Sequence, residues 1–501
     1  MKLNIIPAPK KINIEAGEKK LCRVPAKVCV DAGFAPAAEA FSAYMGRAGI
    51  HVAVSVTEAE KLSGQGIVID GKTEPESDAE YSVIAAGNIL RIIATDISGV
   101  NHALATVAQL TLSQSQPEPG IICVPECEIY DTPDCSYRGL MVDLARYFHP
   151  YEILFAYIDA CWFYKVSTLH LHFTDDQSYT LPSKLFPRLS TEGKSYTFDE
   201  IRSLCEYARA RGVELMPEID VPGHNASFTA AYPELFGTNG IICRHHDSTK
   251  AICDLFSELC DMFPYSGHIH IGGDEANLKN WLKCEECMQY AKNIGIDTEN
   301  LQEDEICDRL YVDFIVRVSD AVKAKGRTPV VWEGFPKCMN DIVPRDIIVM
   351  SWENYYQITP DLLDAGFTII NCSWNPMYIV APDVKWTPEE ICGWSIYKWR
   401  PVHPGSPFAG SSFECAPTDN VIGGQLLAWG DRVVAAFGGN ETKGAYAEFR
   451  LILERLPYLS QNTWNKMAGL VYNELSGSVE KASAALEKMF DAGAREELKQ
   501  V

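Results

Sequence analysis

From residue 137 onward the chain repeats one pattern, a short apolar run that ends in polar or aromatic residues and is usually followed by a helical stretch. The eight runs are Arg138–Ala145, Ser167–Asp176, Val213–Asp220, His268–Glu275, Thr328–Gly334, Asp346–Trp352, Thr368–Trp374 and Val421–Trp429. Between them, Tyr151–Tyr164, Phe198–Arg211, Ser248–Phe263 and Ile306–Lys325 place apolar residues at helical spacing. After runs five to seven the helices shorten or give way to loops. Strands alternating with helices imply a parallel sheet with crossovers. Eight such units predict a closed (β/α)8 TIM barrel within the α/β class, rather than an open sheet.

The chain has 501 residues, and a barrel absorbs roughly 250 to 400 of them, which leaves room for a second, smaller domain. Residues 1 to about 113 mix short β-like runs with a helix. Tyr81-Ser-Val-Ile-Ala-Ala and Ile89-Leu-Arg-Ile-Ile-Ala read as a hairpin around Gly87-Asn88. The segment from Gly99 to Leu110 has helical spacing. A Ser/Gln/Pro stretch at 113–120 and a Cys/Pro/Asp-rich segment up to Ser136 follow. The boundary is therefore expected near 130. Residues 1–130 are expected to form an N-terminal α+β non-catalytic domain. Residues 131–501 are expected to form the catalytic barrel with a C-terminal helical extension.

Composition narrows the function. Lys and Arg number 44 against 67 Asp and Glu, a net charge of −23. Counterion release needs clustered cations, so a nucleic-acid or anionic-membrane partner is not expected. No run of 18 apolar residues predicts a membrane span. The apolar run after Lys2 is interrupted by Pro and Lys too soon for a signal h-region. The 17 cysteines are an odd count without repeating spacing, which reads as buried reduced thiols in a cytoplasmic protein. Cys284-Glu-Glu-Cys287 is a lone CxxC with no second pair nearby. It reads as two thiols on a helical stretch, with a zinc or redox role as the alternative.

A barrel of this kind carries its active site at the C-terminal ends of the strands. The residues there are Arg146, Asp175-Asp176, Asp220 with His224, Asp274-Glu275, Trp332-Glu333, Trp352-Glu353, Trp374 and Trp429. Carboxylates and indoles around one mouth fit carbohydrate chemistry. Trp stacks on the C–H face of a pyranose, while Asp, Glu and Arg bind its hydroxyls.

The most informative segment is His268-Ile-His-Ile-Gly-Gly-Asp-Glu275. It resembles the H-x-G-G-D-E signature of family 20 β-N-acetylhexosaminidases. Three further segments match that family in the expected order: Arg138-Gly-Leu-Met-Val-Asp-Leu-Ala-Arg146-Tyr-Phe, Leu169-His-Leu-His-Phe-Thr-Asp175-Asp176-Gln and Met216-Pro-Glu-Ile-Asp220-Val-Pro-Gly-His224. The resemblance spans about 130 to 460, and the N-terminal segment also looks like the family's small α+β domain. Neighbouring carboxylates on one strand end would not straddle an anomeric carbon as the usual glycosidase pair does. The resemblance implies substrate-assisted catalysis, in which the sugar's 2-acetamido oxygen attacks C1 and forms an oxazolinium ion. It implies Glu275 as acid and base, and Asp274 as the acceptor that orients the acetamide. It places Asp220 and His224 in support, Tyr378 on the acetamide oxygen, and Arg146 with Asp175 at the outer hydroxyls. Trp332, Trp352 and Trp429 would box the ring, and Asp431 would bind the O4/O6 side. No cofactor and no metal are implied; the partner is a small glycoside or oligosaccharide, with N-acetylglucosamine and N-acetylgalactosamine both open.

Two positions depart from the family pattern. Val380 stands where the family usually has Asp or Asn, and Asp431 where it has Glu. Trp374, Trp386, Trp394 and Trp399 crowd the loop before the last run, as an aglycone platform or a packed insertion. Two other functions fit the barrel: a catalytically silent carbohydrate-binding protein, and a metal-dependent hydrolase using His170-Leu-His172 and His268-Ile-His270.

Overall fold

The eight apolar runs form eight parallel strands in the computed structural model, which describes residues 3–14, 20–57, 66–75, 79–114, 118–382, 386–400, 406–466 and 471–501. The strands are Tyr137–Asp143, Thr168–His172, Glu214–Glu218, His268–His270, Thr328–Trp332, Ile348–Ser351, Thr368–Asn371 and Val421–Trp429. Each pairs with the next, and the eighth returns to the first with Met141 opposite Leu427, closing the barrel. All seven residues of the first strand are buried, as expected where helices cover a parallel sheet. A short extra strand, Tyr378–Val380, pairs with the outer half of the eighth.

The outer helices follow the sequence pattern. Phe198–Ala210 opens with a reciprocal cap: Thr197 Oγ1 accepts from Glu200 N at 3.2 Å, and Glu200 Oε2 accepts from Thr197 N at 2.7 Å. Its apolar face, Ile201, Leu204, Cys205 and Ala208, is buried. After the fifth and sixth strands the chain forms only Lys337–Met339 and Thr359–Asp364, and after the seventh the described residues form Trp374–Met377 and Pro388–Cys392, each a turn or two long.

Ahead of the barrel lies a seven-stranded mixed sheet, in the order Lys11–Asn13, Cys127–Asp131, Tyr81–Ala86, Ile89–Ile93, Ile67–Asp70, Lys27–Val30 and Ala53–Val56. The hairpin around Gly87-Asn88 is its centre, with Val83 opposite Ile92. The helix Ile97–Leu112 starts on Asp96, whose Oδ1 accepts from Gly99 N at 2.8 Å. It is buried on almost every side because it packs between the sheet and the barrel helix Tyr151–Phe163. Across that contact Trp162 Nε1 donates to Asn101 at 3.0 Å, and Gln109 Nε2 to the Phe163 carbonyl at 2.8 Å.

Asp131 fastens three regions together. Its buried carboxylate accepts from Tyr81 Oη at 2.7 Å in the N-terminal sheet, and from Trp464 Nε1 at 2.9 Å near the C-terminus. The buried Lys165 ammonium, just before the second barrel strand, lies 3.3 Å away. Trp464 ends the helix Glu441–Trp464, and Tyr472–Glu487 and Ala492–Gln500 complete the chain.

Candidate active site

The fourth strand runs out into Gly272-Gly273-Asp274-Glu275, and the turn is built on a close approach. Gly272 has φ +69°, and a Cβ there would lie 1.9 Å from Asp220 Oδ1. Gly273 N donates to that same oxygen at 3.0 Å. Glu275 and His224 both carry positive φ, 47° and 42°, a conformation that non-glycine residues adopt at a cost. The turn gives its two acids different surroundings. Asp274 is 8% exposed, whereas the Glu275 side chain is 51% exposed.

Burial, reinforced by the facing Asp220 carboxylate, raises Asp274 well above the usual carboxylate range against the opposing pull of His224. Burial raises Asp220 too, again against His224. Among the described residues, Asp274 Oδ1 has no hydrogen-bond partner. A buried acceptor in that position is an energetic cost until a donor arrives.

A continuous polar chain runs from the barrel interior to Glu275. Glu218 Oε2 meets His172 Nδ1 at 2.6 Å, and His172 Nε2 meets Asp175 Oδ2 at 3.1 Å. Asp175 Oδ1 meets His224 Nδ1 at 3.3 Å, and His224 Nε2 lies 3.4 Å from Glu275 Oε2. Burial disfavours charge on His224, but the hydrogen bond to Asp175 and the field of Asp220 outweigh it and hold the imidazole protonated. Burial likewise opposes ionised Asp175, but His172, His224 and Arg146 hold it well below the usual range. Asp220 lies within 4.8 Å of both His224 and Asp274. The imidazole's hydrogen bonds go to Asp175 and Glu275, and the Gly273 amide donates to Asp220 Oδ1.

Arg146 is gripped on three sides: Nη1 by Asp143 at 3.1 Å, Nη2 by Asp175 at 2.7 Å and Nε by Asp431 at 3.5 Å. Its guanidinium also lies over the Trp429 ring, 4.9 Å from the centroid. The short Asp431 carboxylate therefore still reaches the arginine, with half of its own side chain open to solvent.

The aromatic residues converge. Trp352 and Tyr378 stack at 6.0 Å, Tyr378 and Trp429 lie 5.9 Å apart, and Trp332 and Trp429 lie 6.1 Å apart. Trp374 joins them, 5.9 Å from Tyr378 and 6.4 Å from Trp352. Trp394 and Trp399 are buried in the insertion, and the Trp386 carbonyl accepts from Arg455 Nε at 3.2 Å. Packing therefore accounts for Trp394 and Trp399, while Trp374 faces the box. Val380 pairs with Trp429 on the extra strand.

Sequence reasoning passed over two nearby groups, Glu218 and Tyr356, and placed a third, Glu353, at a strand end without a role. Glu218, inside the quoted Met216–His224 segment, is the hub of the barrel interior. It lies 3.0 Å from both His170 Nε2 and His270 Nδ1, and accepts from Trp332 Nε1 at 2.6 Å. Strand register carries the signal, since Glu218 pairs with His172 on one side and His270 on the other. Three of the four H-x-H histidines thus converge on one carboxylate, and His268 meets Glu214 at 3.0 Å. Burial raises the Glu218 pKa, but His172, His270 and His170 hold it well below the usual range. Glu353 is buried and pushed up to about 8 by burial, then by Glu333 and Glu275. Tyr356 sits within the field of Asp274, Glu353 and Glu275. No local spacing marks Tyr356.

Two family descriptions match: "Glycosyl hydrolase family 20, catalytic domain" over residues 135–437, and "Glycosyl hydrolase family 20, domain 2" over residues 2–132. The beta-hexosaminidase subunit beta of Felis catus is 29% identical over 377 residues, 72% of this chain and 66% of the relative. A beta-hexosaminidase of Akkermansia muciniphila is 33% identical over 261 residues, 46% of this chain and 50% of the relative. The chain thus matches about half to two thirds of the length of these curated relatives. In fold it is similar to the exo beta-N-acetylglucosaminidase of Vibrio harveyi in complex with N-acetylglucosamine (TM-score 0.77, 21% identity, 98% of this chain and 78% of the other). It is also similar to a mutant Streptomyces plicatus beta-hexosaminidase in complex with product GlcNAc (TM-score 0.71, 21% identity, 97% and 95%). With the family description covering the whole barrel and its mouth, the chain belongs to glycosyl hydrolase family 20.

Proposed function

We propose that the protein is an exo-acting, retaining β-N-acetylhexosaminidase that releases terminal β-linked N-acetylhexosamine through an oxazolinium intermediate. The observation that carries this reading is Asp274: buried, with an unpartnered oxygen, beside the aromatic box and next in sequence to a half-exposed acid. An acetamide N–H supplies the donor that oxygen lacks, and the box of Trp332, Trp352, Tyr378 and Trp429 takes the methyl and the sugar ring. Held by Asp274, with Tyr378 on its oxygen, the acetamide attacks C1 as the glycosidic bond breaks. Glu275 gives its proton to the departing oxygen, and Asp274 stabilises the positive charge on the oxazolinium. Glu275 then takes a proton from the water that opens the ring at C1. Two displacements return the β configuration.

Arg146, Asp175 and Asp431 fit the outer hydroxyls of a terminal sugar. Asp220 and His224 support the acid. We place the chemistry in residues 131–501 and none in residues 1–130. The partner is a small glycoside or oligosaccharide of either C4 configuration, not nucleic acid or membrane. No helix among the described residues is long and apolar enough to cross a membrane. An odd count of cysteines without repeating spacing supports a reducing, cytoplasmic setting.

The test is Glu275→Gln with an aryl N-acetyl-β-glucosaminide and a thiazoline analogue of the oxazoline. Turnover falls about 10²- to 10⁴-fold where the leaving group needs a proton, while the thiazoline still binds. Unchanged turnover removes Glu275 from its role, and failure of the thiazoline to bind the wild type removes the acetamide from the mechanism. Activity that survives brief EDTA treatment separates this reading from a metal-dependent hydrolysis.

A further inference from the structure

The sequence isolates Cys284 and Cys287 as a lone pair, but the fold brings a third cysteine to them. Cys243 Sγ lies 3.4 Å from Cys287 Sγ and 3.7 Å from Cys284 Sγ, and the three sulfurs lie within 4.8 Å of one another. A disulfide needs about 2.05 Å. Thiolates at about 2.3 Å from a tetrahedral zinc sit about 3.8 Å apart, close to the spacings here. His245 and Glu286 each bring a ligand atom within 4.8 Å of the Cys243 sulfur. His245 stands two residues from Cys243, and its Nδ1 accepts from Ser248 N at 3.2 Å, which leaves Nε2 as its ligand atom. Arg244 N donates to Cys287 Sγ at 3.2 Å, the kind of amide contact that supports a metal thiolate. In sequence the group reads Cys243-Arg-His245 followed by Cys284-Glu-Glu-Cys287.

We propose that Cys243, Cys284, Cys287 and His245 form a structural zinc site. Its place in the fold gives it a task. Cys243 lies late in the connection that follows the third strand and carries His224, and the CxxC opens the helix Glu285–Asn293 in the connection that follows the fourth strand and carries Glu275. The same two connections are already tied by Trp281 Nε1 donating to the Ile242 carbonyl at 2.8 Å and Asn280 Nδ2 to the Asn239 carbonyl at 2.7 Å. Ile242 N in turn donates to the Pro222 carbonyl at 3.2 Å, in the turn before His224. A metal here clamps together the far parts of two connections whose near parts hold the imidazole and the acid. It takes no part in the chemistry.

The full chain, purified in reductant without added metal, is assayed for bound zinc by mass spectrometry after gel filtration. About one zinc per chain is expected, falling to a small fraction in Cys287→Ser and His245→Ala and unchanged in Cys338→Ser, whose thiol is exposed elsewhere. Should Cys287→Ser not fold, the wild type loaded with cobalt(II) still reports through a near-ultraviolet thiolate-to-cobalt band. Zinc-free protein that gives no such band overturns the proposal, as does a Cys243–Cys287 disulfide found by peptide mapping of unreduced protein. Zinc lost in Glu286→Gln but kept in His245→Ala overturns the assignment of the fourth ligand.

Discussion

In the proposed mechanism, Asp274 trades stability for function. Its carboxylate is buried beside Asp220 and lacks a donor for one oxygen. Folding therefore disfavours its ionised form, and that cost grows as pH rises above the unfolded value near 4. Asp274→Asn removes the charge at nearly the same volume. It should raise the melting temperature at pH 7 and lower kcat about 10²- to 10³-fold by failing to stabilise the oxazolinium charge. Calorimetry and steady-state kinetics on the same preparation check both halves; a lower melting temperature would mean the carboxylate is satisfied. Asp175 behaves in the opposite sense. Its folded pKa is depressed, so its contribution is complete above about 4 and declines as pH falls toward the folded value. At this scale the sequence was legible wherever a residue sits in a local motif, as with Asp274, Glu275, Asp175 and His224. It was silent where a residue acts through the register of neighbouring strands, as with Glu218, or through a loop that folds back, as with Tyr356.

At the scale of elements, the third strand organises the barrel mouth. Its Glu218 binds imidazoles from the second and fourth strands and the Trp332 indole from the fifth. Removing one partner of a buried charged network leaves the others uncompensated. Glu218→Gln should cost about 3–5 kcal/mol of stability, read from the shift in the urea midpoint. It should also lower kcat, because His172 no longer holds Asp175 in place for Arg146 and His224. A neutral effect on stability would mean that water satisfies the histidines. The eight strands themselves were readable from sequence because a buried parallel strand is a continuous apolar run bounded by polar residues. The Trp-rich insertion was harder, since indoles that pack inward and indoles that line a site look alike before folding. Trp399 is fully buried, while Trp374 reaches the box.

For the whole molecule, Asp131 joins the N-terminal sheet, the barrel and the C-terminal helix through Tyr81, Lys165 and Trp464. Asp131→Ala strands the buried Lys165 ammonium and should destabilise the chain by about 3–5 kcal/mol. The active site lies elsewhere in the barrel, so kcat at 25 °C should change less than twofold in protein that remains folded. A broadened or two-step urea transition would show the N-terminal sheet separating from the barrel. The central claim is that the sugar supplies its own nucleophile while Asp274 and Glu275 orient the amide and move the proton. The most direct measurement is the ratio of kcat/KM for an aryl N-acetyl-β-glucosaminide to that for the matching aryl β-glucoside, which lacks only the acetamido group. Effective molarities for a positioned intramolecular nucleophile predict a ratio of at least about 10⁴, whereas comparable rates on the two substrates would contradict the account.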